Sequence, residues 1–249
     1  MIFRDACPAC GSNRYKKNGH TRYGKQNHQC NACERQFVAT AEDRSIADEQ
    51  RMLIENLLRE RISLRGICRA VGVSLTWLLH FMVERFAACP EHLHVQLPIS
   101  PTDVVIRQLE AEADEMWSFV QKRANTQWSW IAMDAKTRQI IAFCVGDRSR
   151  DNAKQLWAKI PLVYREQATF HTDQYDAYTG VIPAERHRAI TKKARKTNHI
   201  ERFNNTLRQR ASRLVRETLS FSKKLANHIG AIKYFICHYN LTRTAAFPV

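Results

Sequence analysis

The sequence predicts an α/β protein: a mixed sheet flanked by helices, preceded by a small cysteine-rich ribbon and an all-α module. Three observations predict it. Two Cys-x2-Cys pairs, Cys7/Cys10 and Cys30/Cys33, sit within the first 33 residues. Three apolar helical segments follow, punctuated by serine caps and Gly72. The remainder holds short strand-like runs that first follow one another across tight turns and then alternate with helical segments. The chain has 249 residues, 44% of them apolar, enough for one large domain with small appendages and too apolar for global disorder. Only 8 Gly and 7 Pro exclude collagen-like or low-complexity character. No run approaches the ~18 apolar residues that span a bilayer. Residues 1–7 carry no basic-then-apolar leader, so a cytoplasmic location without a membrane partner is expected.

The net charge of +15 is concentrated. Residues 186–249 hold 15 basic and 2 acidic residues, whereas residues 101–185 hold 10 and 12. Such a cluster repels itself unless a polyanion neutralises it, and nucleic acid is the commonest one, because bound phosphates release their counterions. A solvated basic surface is the plain alternative. The two acids in this basic segment are Glu201 and Glu217.

The ribbon comes first, over residues 1–42. Nineteen residues separate the cysteine pairs, a spacing at which two turns hold one tetrahedral Zn²⁺ through Cys7, Cys10, Cys30 and Cys33. So short a segment buries little, and metal binding would supply its folding free energy. Disulfide or redox use is the alternative. Cys68, Cys89, Cys144 and Cys237 lie scattered in apolar surroundings and read as core thiols.

Residues 43–90 form the helical module. Residues 46–60 place Leu53, Ile54, Leu57 and Leu58 on one face of a helix. Ser63 caps a second helix that Gly72 ends, and Ser74 caps a third carrying Trp77, Leu78, Phe81 and Met82. Helix, glycine turn, helix is the helix-turn-helix pattern, which would set Ser74, Thr76 and His80 nearest the base edges of double-stranded DNA. A three-helix bundle that touches only the rest of the protein is the alternative. Residues 91–102, with Pro98 and Pro101, read as a linker.

Residues 103–249 form the α/β domain. Strands are expected at 114–120, 127–134 and 138–145 as an antiparallel meander, then a helix at 151–160, a strand at 168–173, a fifth strand at 186–191 and helices from about Asn198. Ile200, Phe203, Leu207, Ala211 and Leu214 make one apolar stripe. Asp114 opens the first strand and Asp173 ends the fourth, while Glu201 lies in the first turn of the basic helix. Two or three such carboxylates bind Mg²⁺ or Mn²⁺ when substrate phosphate fills the other positions. The competing account of Glu201 is a helix-start acid favoured by the macrodipole. Glu112, Glu115, Asp134 and Asp176 read as surface or turn acids. His238 and Tyr239 continue a helical apolar pattern and read as core.

In order, the chain presents Cys-Pro-Ala-Cys, Cys-Asn-Ala-Cys, the helix-turn-helix pattern and Ala-Asp114-Glu-Met-Trp-Ser-Phe-Val. Next come His-Thr-Asp173-Gln-Tyr-Asp-Ala-Tyr, His-Ile-Glu201-Arg-Phe-Asn-Asn-Thr-Leu-Arg208 and Leu219-Ser-Phe-Ser-Lys223. Together these resemble a bacterial transposase of the insertion-sequence-one family, with an Asp-Asp-Glu site on a ribonuclease H-like fold. The resemblance implies that Asp114, Asp173 and Glu201 are catalytic and ligate magnesium or manganese, and that Arg208 contacts DNA. Lys192, Lys193, Arg195 and Lys196 belong to the same basic segment and are further DNA-binding candidates. It also implies binding of terminal inverted repeats, strand cleavage, attack of the released 3′-hydroxyl on target DNA, and a homodimer or higher oligomer on the nucleoid of a bacterium or archaeon. Gln174 stands where members of that family often carry glycine. A repressor built from the ribbon and the helix-turn-helix, without catalysis, is the alternative function.

Overall fold

The computed structural model describes residues 2–41, 45–97, 109–191, 197–215 and 220–246. The chain divides into two compact units, Met1–Arg51 and Met52–Val249.

In the first unit, β1 (Ile2–Phe3) pairs antiparallel with β5 (Thr40–Ala41). β2 (Tyr15–His20), β3 (Gln26–Cys30) and β4 (Gln36–Val38) form a three-stranded antiparallel sheet. Its apolar core is Cys7, Cys30 and Phe37, with Tyr15 packed on it. So small a core contributes little hydrophobic stabilisation.

The second unit holds most of α1 (Asp48–Leu57), followed by α2 (Leu64–Val71) and α3 (Leu75–Ala87). Ser63 Oγ accepts from Gly66 N at 3.1 Å and Ser74 Oγ from Trp77 N at 3.2 Å, so both predicted caps form. Gly72 ends α2 with φ +76°, a left-handed conformation that suits glycine. The axes of α2 and α3 cross at 111°, within the range of a helix-turn-helix. The expected four-residue apolar face of α1 is narrower than the sequence suggested. Ile54 is buried and Leu57 and Leu58 partly so, but Leu53 is 47% exposed. No single described helix is long and apolar enough to cross a membrane.

α3 packs against the final helix, α7 (Leu225–Ala246). Gly230 allows the close approach: a Cβ there would lie 2.7 Å from Phe86 Cδ2. The partly buried Arg213 joins the same region, donating to Asn227 O at 3.1 Å and approaching Met82 Sδ at 3.2 Å.

The main sheet runs β10-β9-β6-β7-β8. β6 (Glu110–Phe119), β7 (Thr126–Asp134) and β8 (Ile140–Gly146) are the antiparallel meander. β9 (Thr169–Thr172) lies parallel to β6 on its other side, and β10 (His187–Ala189) lies parallel to β9 at the edge. α4 (Arg150–Lys159) and α5 (Leu162–Gln167) connect β8 to β9, and α6 (Asn198–Arg210) precedes α7. Ala111, Ala113, Trp130 and Ala132 face α4 and α5, while Met116, Ile131, Met133 and Phe143 face α6 and α7. This alternation is the period-2 consequence of a sheet covered on both faces.

Three expectations shift. β6 starts four residues early, so Asp114 sits mid-strand opposite Ile131 rather than at its opening. Alternating Glu and Ala have poor strand propensity, and pairing to both β7 and β9 overrides it. The connection from β9 to β10 holds a 3-10 turn at Asp176–Tyr178, and β10 is shorter than the expected 186–191. α6 stops at Arg210, so Ala211 and Leu214 lie beyond it, although Leu214 still joins the same core. Cys144 and Cys237 are buried, and Cys68 and Cys89 partly so.

Candidate functional site

One ligand cluster and one looser group of acids emerge from this scaffold. In the ribbon, the ligand atoms of Cys7, Cys10, Cys30 and Cys33 all lie within 4.8 Å of one another. Cys7 Sγ and Cys33 Sγ are 3.6 Å apart, as are Cys10 Sγ and Cys30 Sγ. A tetrahedral zinc with bonds of about 2.3 Å needs sulfur–sulfur edges of roughly 3.8 Å, which these separations fit. Backbone N–H groups favour the thiolates of Cys7 and Cys30. Hydrogen bonding from Cys33 pulls the Cys30 thiol down to about 6, and Ala9 lowers that of Cys7. The cluster could therefore hold zinc.

The acidic cluster is built from β6, the end of β9 and the start of α6. Asp114 is half-buried on the α6 face of β6. Burial pushes its carboxyl up to about 6, with repulsion from Glu115 and Asp173 adding to the shift. Asp173 follows β9, the parallel neighbour of β6, and its Oδ1 accepts from Tyr175 N at 3.0 Å. Glu201 is exposed in the first turn of α6, and its Oε1 accepts from Thr197 Oγ1 at 3.1 Å. One turn further, Asn204 Nδ2 donates to Asp114 Oδ2 at 2.8 Å. Asp114 and Asp173 are thus neighbours, and Asn204 ties the helix carrying Glu201 to Asp114. Among the described residues, the four cysteines are the only group of three or more ligands this tightly gathered.

The donor set suits a hard divalent cation. Asp114 is a carboxylate whose negative charge its surroundings disfavour, and Asn204 Oδ1 is buried without a hydrogen-bond partner. An oxygen left bare beside a disfavoured carboxylate is what a cation or its waters would satisfy.

Two of the four acids read as surface or turn residues have different places. Glu112 is 2% exposed, and its Oε2 accepts from His199 N at 3.1 Å and Ile200 N at 2.8 Å. It caps the start of α6 from the neighbouring strand and so takes the macrodipole role that Glu201 was an alternative for. Glu115 is buried on the opposite face of β6, paired with Arg148 at 2.6 Å. Asp134 is indeed a turn acid, accepting from Lys136 N and Thr137 N, but it is buried and also accepts from Tyr164 OH at 2.6 Å. Asp176 is exposed and pairs with Arg150 at 2.8 Å. These roles come from cross-element partners, which no local pattern signals. Asn204 was likewise missed, although its spacing of three from Glu201 put it on the same face.

Of the DNA-contact candidates, Ser74, Thr76 and His80 are exposed on α3, and Arg208 is half-buried on α6, seven residues past Glu201. Lys192, Lys193, Arg195 and Lys196 lie outside the described residues. Tyr239 packs edge-on against Phe203 at 4.7 Å and His238 against Tyr234 at 4.5 Å, as core residues do.

Comparison with known proteins gives the class. The α/β domain with its acids is that of a transposase. Residues 107–241, more than half the chain, match the family model described as IS1 transposase. The chain belongs to the IS1 transposase family. It is 35% identical to the insertion element iso-IS1n protein InsB of Shigella dysenteriae over 128 residues, covering 51% of this chain and 94% of that one. It is 33% identical to the insertion element IS1 protein InsB of Shigella flexneri over 131 residues, covering 52% and 96%. A chain from the cryoEM structure of the simian T-cell lymphotropic virus intasome in complex with PP2A regulatory subunit B56 gamma aligns at 13% identity with a TM-score of 0.32. That alignment covers 63% of this chain and 57% of that chain.

Proposed function

We propose that this transposase binds the terminal inverted repeats of an insertion sequence and catalyses divalent-metal-dependent DNA cleavage and strand transfer at Asp114, Asp173 and Glu201. The carrying observation is the adjacency of Asp114, on β6, and Asp173, the residue just past the parallel strand β9, with Asn204 fastening α6 to Asp114. The strand order β10-β9-β6-β7-β8 supports a ribonuclease H-like reading of this domain.

In this reading the three carboxylates hold Mg²⁺ or Mn²⁺. The bound ion would neutralise charge on the scissile phosphodiester and favour ionisation of the attacking hydroxyl. The protein's own share is positioning and electrostatics. Glu112 fixes the start of α6 and thereby the height of Glu201. Asn204 orients Asp114. Arg208, on α6, meets phosphate, as do Lys192, Lys193, Arg195 and Lys196. Most of the transition-state stabilisation then comes from where charges sit, and no serine or tyrosine nucleophile is required.

We further propose the division of labour by segment. Residues 1–42 are a zinc ribbon held by Cys7, Cys10, Cys30 and Cys33. Residues 43–90 are a DNA-binding helix-turn-helix reading the ends through Ser74, Thr76 and His80. Residues 91–102 link them to the catalytic residues 103–249. Holding two ends at once calls for a dimer or larger assembly acting on cytoplasmic, nucleoid DNA.

The test is reaction of the purified chain with Mg²⁺ and DNA carrying the element ends. Cleavage and joining are expected, and Asp114→Asn, Asp173→Asn and Glu201→Gln should each abolish both while end binding persists. Full strand transfer by any of the three variants would remove that residue from the site.

A further inference from the structure

The acids of the site have a supporting structure on the other face of the sheet. Glu115 follows Asp114 on β6 and therefore points away from it. Its side chain is 1% exposed. Glu115 Oε1 accepts from Arg148 Nε at 2.9 Å and from Arg148 Nη2 at 2.6 Å, and Oε2 accepts from Tyr178 OH at 3.2 Å. The Arg148 guanidinium lies against two rings, 4.6 Å from Trp128 and 4.0 Å from Tyr175. Tyr175 OH donates to Arg148 O at 2.6 Å, and Tyr175 N donates to Asp173 Oδ1 at 3.0 Å.

These contacts form one continuous path. Asp173 is bonded to Tyr175, Tyr175 lies on Arg148, Arg148 grips Glu115, and Glu115 adjoins Asp114 in the chain. Tyr178 closes the loop 173–178 onto the same carboxylate. A buried ion pair is a weak source of stability, since an apolar pair of similar volume often does as well or better. What this one supplies is geometry. The planar guanidinium converges two N–H donors on one carboxylate oxygen and sets its faces against aromatic rings, which a lysine cannot reproduce.

We propose that Arg148 is a positioning residue, clasped by Glu115, Trp128 and Tyr175, that sets the placement of Asp173 relative to Asp114 and so the affinity of the site for a divalent cation. This rests on the reading of those two acids as cation ligands. Outer partners of metal ligands typically govern about 10–100-fold of metal affinity.

The experiment is a calorimetric titration of the full-length, zinc-replete chain with Mn²⁺, alongside electron paramagnetic resonance of the free ion. Wild type should take up Mn²⁺ in a manner that Asp114→Asn and Asp173→Asn remove. Absence of such uptake would defeat the cation reading of the acids, and this proposal with it. Given uptake, Arg148→Lys, which keeps the charge and loses the planar grip, should weaken Mn²⁺ binding by about tenfold at unchanged circular dichroism. Wild-type affinity in a folded Arg148→Lys would overturn the proposal and leave the cation reading standing. Should Arg148→Lys not fold, Tyr175→Phe carries the test. It removes only the hydroxyl bond to Arg148 O, so weaker Mn²⁺ binding supports the clasp and unchanged binding overturns it.

Discussion

Asn204 donates to Asp114 across 2.8 Å, joining α6 to the middle of the central strand. The two residues are 90 positions apart in sequence, yet this bond fixes how the helix carrying Glu201 lies over the acids. The other oxygen of the Asn204 amide is buried and unpartnered, so the residue has capacity left over for something entering the site.

Asn204→Ala should therefore weaken divalent-cation binding and Mg²⁺-dependent cleavage by about tenfold or more, as loss of a ligand-orienting partner does. Asn204→Gln, which keeps the amide but displaces it, should recover part of the loss at most. Calorimetric titration and a cleavage assay in parallel would show it. Cleavage at the wild-type rate in Asn204→Ala would mean that Asp114 orients itself.

The raised carboxyl of Asp114 makes a pH prediction whose sign is unusual. It moves from an ordinary 3.8 to about 6 because of burial and its acidic neighbours. The folded state thus takes up a proton that the unfolded chain does not, between about pH 6 and pH 3.8. This group stabilises the fold as pH falls through that window and opposes folding above it. In metal-free buffer at neutral pH, Asp114→Asn should raise thermal stability, by at most about 3 kcal/mol at ~1.4 kcal/mol per pKa unit. Added Mn²⁺ should stabilise wild type and not the variant. Melting curves with and without the ion decide the matter, and a destabilised Asp114→Asn would show that the carboxylate is satisfied by the protein alone.

His228 gives the opposite sign. It is fully buried, shares a 3.0 Å hydrogen bond with Ser118 Oγ, and burial pulls its imidazole from 6.5 down to about 4. Its contribution is intact above pH 6.5 and is lost as pH falls toward 4. His228→Gln should lower stability at pH 7 and flatten the acid limb between those values. An unaltered acid limb, measured by denaturant unfolding at several pH values, would rule this histidine out as its source.

The ribbon should depend on metal. Purified chain is expected to carry about one zinc, and a strong chelator should unfold the β2-β3-β4 sheet while leaving the larger unit's transition in place, because so small a core cannot fold unaided. Cys30→Ser should behave like chelation. Elemental analysis with amide hydrogen exchange would report both, and a fully protected ribbon without metal would contradict the assignment.

Packing of α3 on α7 should be sensitive at Gly230, where a side chain would collide with Phe86. Gly230→Leu should cost about 1–3 kcal/mol or more. A Phe86→Ala, Gly230→Leu double variant should recover part of this, measured by urea unfolding.

By itself the sequence determined the features that repeat locally. The cysteine spacing showed the ribbon's ligand candidates, the Ser63, Gly72 and Ser74 signals marked the helix boundaries, and short apolar runs between turns exposed β7 and β8, because each is written within a few neighbouring residues. It also contained the motifs that tied the chain to its family. Only the tertiary structure decided which acids face which way and what they touch. Glu112 and Glu115 look alike in the sequence, but the pleat sends one to the start of α6 and the other to Arg148. The full extent of β6 was hidden for the same reason, since its alternating acids become strand residues only when β7 and β9 flank them. Burial and charge neighbours arise from chain segments as much as a hundred residues apart and more, and the free energy that places a carboxylate belongs to those contacts rather than to its local pattern.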